Sequence, residues 1–162
     1  MQLTNAQKNT LRAFVAADPT LNAIPQTADG AFALAEALNE TKEDFFVWKT
    51  SMVTDELFDG VQFTAVDALS VGKARIFEWM ILAGSVRPAS NSIRVAITQC
   101  FGAASASEVA IFAAMKRNAT ILESVLANTT TGGAGNGAEA TPAKLRVEGS
   151  IEWNYLLEVM GW

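Results

Sequence analysis

The chain contains no histidine and a single cysteine, Cys100. The first absence removes His-based nucleophile triads, most catalytic zinc sites and the commonest general base together. The second leaves nothing to build an intramolecular disulfide framework and fits a reducing compartment. Charge is scarce as well: 18% of the 162 residues are Asp, Glu, Lys or Arg, against ~25% in an average domain. A chain so poor in charge is either unusually compact or meets other subunits with part of its surface. The second is the expectation. Basic clusters are missing, since Lys and Arg are scattered singly apart from the pair Lys116-Arg117. With a net charge of −5 and a pI of about 4.7, direct phosphate binding is disfavoured. Long apolar runs are missing too. The greasiest stretch, "IFEWMILAG", is too short to span a bilayer and carries Glu78. The opening "MQLTNAQKNTLRAF" has no apolar core of signal-peptide type. These readings lead to the expectation of a soluble cytosolic product with no membrane partner.

What is present is helix-forming and apolar. Half the residues are apolar, alanine recurs throughout, and the length suits one domain. Thr4 and Gln7 have capping-box spacing ahead of Leu11, Phe14 and Val15, which predicts a first helix stopping near Asp18, before Pro19. Thr27 caps a second helix with Asp29 in its first turn, an apolar face of Ala31, Leu34, Ala35 and Leu38, and Asn39 at its end. The run "DFFVWKTSMV" reads as strand or helix, and "TDELFDG" as one helical turn closed by Gly60. From Asp67 the stripe Leu69, Ile76, Phe77, Met80 and Ile81 predicts a helix to Gly84. After the turn "RPASNS", Ser92 or Asn91 caps a helix carrying Ile93, Ala96, Ile97, Cys100 and Phe101, stopped by Gly102. Ser105 and Glu108, a second capping box, open the longest helix, to about Ala127. The expectation is therefore a mostly α, single-domain bundle of about five helices over residues 1–127, a flexible Gly/Thr-rich loop over 128–142 and an extended C-terminal arm over 143–162.

Chemistry-bearing patterns are few. Cys100 lies on an apolar helical face, as a small buried hydrophobe does. The groups Glu40/Glu43/Asp44 and Asp55/Glu56/Asp59 lack the alternating spacing of an EF-hand and read as solvated helix ends. "TGGAGNG" has no strand before it and no Lys-Ser/Thr after it, so it reads as a linker and not a phosphate loop. Arg75, Arg87, Arg94, Lys116 and Arg117 belong to solvated faces, to a pore lining, or to pairs with acidic neighbours. No catalytic residue, metal ligand or cofactor site is predicted.

Taken together, "VWKTSM", "VGKARIFEWMILAGSVRPASNSIRVAITQCFG" and "MKRNATILESVLA" resemble a family of small tailed-bacteriophage and prophage proteins encoded among the virion morphogenesis genes. The resemblance extends to "AADPTLNAIPQTADGAFALAEALN" (residues 16–39), Trp48-Lys49-Thr50, Trp79, Phe101-Gly102, Lys116-Arg117 and "LRVEGSI". It spans nearly the whole chain, and its signatures are structural ones. Cys100 and the aromatic end of the tail depart from the family pattern. The resemblance implies a virion protein of the head–tail connector (neck adaptor) type, assembled in the host cytoplasm. It further implies self-association into a ring, a dodecamer where portal symmetry is matched, with a portal protein on one side and a tail or terminator protein on the other. Genomic DNA would pass through the channel without specific binding, an acidic lining letting phosphates slide. A tail terminator or capsid-decorating subunit is the alternative within that class, and a regulatory protein-binding module outside it.

The tail supplies the predicted docking element. A linker of about 15 flexible residues has an end-to-end distance of roughly 20 Å, enough to carry the arm beyond its own domain. "KLRVEGS" alternates as an added edge strand does. Leu145, Val147, Ile151, Trp153, Tyr155, Leu156, Leu157, Met160 and Trp162 are the candidate partner-binding residues. The competing reading is that this tail folds back as a last core element of its own domain.

Overall fold

The computed structural model describes residues 2–59, 61–129, 133–136 and 141–162. These are mostly helical, with ten helices and four short strands among them, as the α-rich composition leads one to expect. A five-helix single-domain bundle is not what forms. The chain divides into two compact units, one of Met1–Val47 with Asn118–Trp162 and the other of Trp48–Arg117. Each unit closes its own apolar cluster. No boundary falls after residue 127, because the residues beyond it complete the first unit's core.

The first unit begins with α1 (Asn5–Ala17), whose Thr4–Gln7 capping box satisfies the first free amides. Asp18 ends it in an extended conformation and then caps α2 (Pro19–Asn22), with Pro19 in the first turn where no amide is needed. Thr27 caps α3 (Ala28–Asn39) by accepting from Gly30 N–H, as predicted. Leu11, Val15, Leu34 and Leu38 turn inward from α1 and α3. The ambiguous run then resolves, and β1 (Thr41–Trp48) is a strand. Its last four residues, Phe45 to Trp48, are all aromatic or β-branched, and Phe45 and Val47 are buried in a small separate cluster.

The second unit runs through β2 (Met52–Val53), α4 (Asp55–Phe58), α5 (Phe63–Asp67), α6 (Val71–Leu82), β3 (Ser85–Val86), α7 (Asn91–Phe101) and α8 (Ala106–Met115). The helical turn of "TDELFDG" is α4, while Gly60, its expected stop, lies outside the described residues. The helix predicted from Asp67 begins later: Asp67 ends α5, Leu69 lies in the turn that follows, and α6 starts after Ser70. The cap of α7 is Ser90, not Asn91 or Ser92, and Gly102 ends that helix as expected. β2 pairs antiparallel with β3, Met52 opposite Val86. Leu57, Phe77, Met80, Ile97, Ile111 and Met115 fill the core.

The chain returns through β4 (Lys116–Thr120), which pairs with β1, and α9 (Ile121–Leu126). The long helix predicted from Ser105 to Ala127 is therefore interrupted. Thr120 and Glu123 form a capping box of their own, a helix start signal inside the predicted helix. Asn118 diverts the chain as well, its side-chain amide donating to the carbonyls of Lys42 and Glu43. α10 (Trp153–Met160) closes the first unit and packs on α3 and α1.

Candidate interaction surface

The tail residues predicted to dock on a partner are occupied at home. Ile151, Leu156 and Val159 are buried in the first unit's core with Leu11, Leu34 and Leu38, and Val147, Tyr155, Met160 and Trp162 pack against the same cluster. Leu145 is buried beside Phe45, Val47 and Ala143, and Leu157 is half-buried. Trp153 alone among the nine candidates is exposed, at 43%. The edge-strand expectation fails in the same way: Lys144 bridges to Asn128, and Ala143 N–H donates to Phe46 O, all within one chain. The cause is polar pinning added to apolar fit. Leu3 N–H donates to the Tyr155 hydroxyl at 2.7 Å, Arg12 Nε donates to Val159 O at 2.6 Å, and Lys8 pairs with Glu158 at 2.8 Å. Buried Glu123 accepts from Gly149 N–H at 3.0 Å while also closing its capping box.

The loop expected to be a free linker is tied down where it is described. Gly135 O accepts from Phe46 N–H, and Gly135 N–H donates to Thr141 O. A side chain at Gly135 would collide with the Phe45 ring, and its φ of +70° lies in the left-handed region that favours glycine. Residues 130–132 and 137–140 of that loop lie outside the described residues.

An uncovered apolar surface does exist, in the second unit. α6 buries Phe77 and Met80 on one side and leaves Val71, Trp79 and Leu82 on the other, exposed by 73%, 71% and 73%. At 100° per residue these three fall on one face with Arg75 and Glu78 between them. Beside this face runs an open groove of about 500 Å³, lined by Ile76, Trp79, Met80, Val86, Ile93 and Ala96, with Arg87 at its edge. The stripe read from the sequence contains the buried Phe77 and Met80 but also Ile76, itself 37% exposed, and it does not include this face. The available signal was that α6 is apolar almost all round, a pattern belonging to helices covered on both sides.

The remaining features are structural in kind. Arg94 is half-buried, lies over the Trp48 ring at 4.6 Å and donates to Pro88 O at 2.6 Å, so it is engaged within its own unit and does not stand free on a solvated face. Burial lowers its guanidinium pKa below the usual value. Glu56 is held below the usual carboxylate value by the hydrogen bond from Lys49. Glu108 is buried and accepts from Thr98 and from Ala104 N–H, tying α7 to the start of α8. Among the described residues, no carboxylate lines the cavity of about 390 Å³ beside Lys73, Cys100, Ser105 and Ser107. Burial pushes the Cys100 thiol up, the nearby Lys73 acting against it, and a protonated buried thiol is a poor nucleophile. Among the described residues, no three His, Cys, Asp or Glu side chains converge as metal ligands do, and no helix is long and apolar enough to cross a membrane. Comparison with known protein families, curated proteins and solved structures finds no match.

Proposed function

We propose that the chain is a non-enzymatic structural subunit of a tailed-phage virion, assembled as a ring at the head–tail connection between portal and tail. The observation that carries this reading is the apolar band of the second unit, Val71, Trp79 and Leu82 standing outward beside an apolar groove. Exposed tryptophan and leucine beside a concave apolar surface are characteristic of assembly contacts, where an aromatic anchor contributes ~2 kcal/mol or more. The sequence resemblance supplies the phage setting. The docking element is then this face of α6 with its groove, and not the tail, whose side chains fill the first unit's own core. The net charge of −5 suits a channel through which DNA passes without being held.

The test is to image virions made in cells expressing the chain with its neighbouring morphogenesis genes, at subunit resolution. The expected result is a ring of copies at the portal vertex, α6 covered by a neighbouring protein. Complete particles without the chain at that vertex overturn the reading.

A further inference from the structure

We infer that the chain free in solution pairs with a second copy of itself through α6, the two helices running antiparallel about a two-fold axis that passes between Ile76 and Phe77. The argument begins with the spacing of the exposed residues. Val71 and Leu82 lie equally far from that midpoint, and so do Arg75 and Glu78. In an antiparallel pair centred there, Val71 of each copy meets Leu82 of the other, and Arg75 of each copy meets Glu78 of the other. One two-fold operation thus matches apolar with apolar and cation with anion, twice each. In any parallel pairing in register, Arg75 would oppose Arg75 and Glu78 would oppose Glu78.

All four residues are exposed, and 75, 78, 71 and 82 fall within a narrow sector of the helical wheel. Trp79 flanks that sector. In the pair it comes within a turn of Gly72 of the second copy, where there is open space in front of the α-carbon. The face is self-complementary, as the contact surface of a two-fold dimer has to be. Its extent sets the strength: a helix of twelve residues is about 18 Å long and 10 Å wide. Alone it covers less than the ~800 Å² per partner of a standard interface, so a reversible dimer with micromolar affinity is expected. This pairing goes beyond the virion reading and stands without it. Two copies close the contact, so it is not the ring contact; it covers an apolar face that the free chain otherwise leaves to water.

Sedimentation equilibrium of the full chain, at concentrations up to about 100 μM, tests this. The wild type is expected to form dimers. Arg75→Glu alone and Glu78→Arg alone each place like charges opposite one another at two points, and each is expected to raise the dissociation constant about tenfold or more. The double exchange R75E/E78R is expected to restore dimers, and an equimolar mixture of the two single variants to form heterodimers. Circular dichroism of each variant checks that the fold is kept, as substitutions at exposed positions allow. A monomeric wild type overturns the proposal. So does a dimer indifferent to both single exchanges, which must use another surface, or single exchanges that dissociate the dimer with no rescue by the double one.

Discussion

The side-chain amide of Asn39 and the backbone of Ile151 exchange two hydrogen bonds, each 2.9 Å long, across 112 residues of chain. Asn39 is the last residue of α3, and its amide offers a donor and an acceptor side by side, as a neighbouring strand would. It fixes the point at which the returning tail enters the first unit.

Asn39→Leu keeps the volume and removes both bonds. Two bonds at roughly 1 kcal/mol each, with the Ile151 amide and carbonyl left unpaired, place the loss at about 2 kcal/mol. Urea unfolding followed by circular dichroism is expected to show a lower midpoint with little change of slope.

Leu156→Ala separates a core element from a docking arm. Leu156 is fully buried, so its truncation is expected to destabilise the isolated chain by about 2–5 kcal/mol. The neighbouring Trp153→Ala, at an exposed position, is expected to shift stability by no more than about 0.5 kcal/mol. Equal, small effects of both on thermal unfolding would return the tail to solvent.

Local signals were legible in the sequence wherever a side chain acts on its own backbone. Thr4 with Gln7, Thr27, Ser105 and Gly102 all mark helix ends where spacing predicted them. What was not legible has physical causes. Thr120–Glu123 is a start signal submerged in an apolar rhythm that runs from Met115 to Leu122, because residues on both sides of the break are buried. The destination of the tail is not legible because an apolar surface looks alike whether it fills its own core or another molecule's. Asn39, Glu123 and Tyr155 settle which, and each acts on residues 26 to 152 positions away. The exposed face of α6 is hidden for a related reason: Phe77 and Met80 suffice to explain a helix with one buried side, and nothing in Val71, Trp79 and Leu82 tells a covered apolar face from an open one.

The stacked pair Arg94–Trp48 gives a prediction for the second unit. Arg94→Ala removes the cation over the ring and the donor to Pro88 O, at a cost of about 1–2 kcal/mol. Arg94→Lys keeps the charge but loses the flat stacking surface, so it is expected to fall between wild type and alanine. Trp fluorescence during urea unfolding reads both.

Cys100 is expected to resist alkylation in the folded chain. Its thiol value is raised from 9.0, first by burial and against a smaller opposing effect of Lys73. A raised value means that the folded state keeps a proton the unfolded state releases. The associated stabilisation is complete below about pH 9 and is lost as pH rises through the folded value. Iodoacetamide labelling at about pH 8 should be slow and should accelerate sharply in urea. Labelling of the folded chain at the rate of a free thiol would show the site open.

Gly30 is the position where α3 admits no side chain. A Cβ built there stands 1.8 Å from the Pro25 carbonyl oxygen and 3.2 Å from Ile24 Cγ2. The first of these neighbours is backbone and cannot swing aside. That same carbonyl accepts from Thr27 N–H at 2.9 Å, and Thr27 in turn caps the helix at Gly30 N–H. Moving it therefore loosens the cap along with the turn. Gly30→Ala favours helix by propensity, by about 1 kcal/mol, yet the collision is expected to win, with a net loss of roughly 1–3 kcal/mol. Gly72→Ala is the control: also in a helix, with open space where its Cβ would go, it is expected to gain from propensity when melted at concentrations low enough to keep the chain monomeric. Paired thermal melts of the two variants should move in opposite directions, and a stabilised Gly30→Ala would show that Pro25 does not sit against α3.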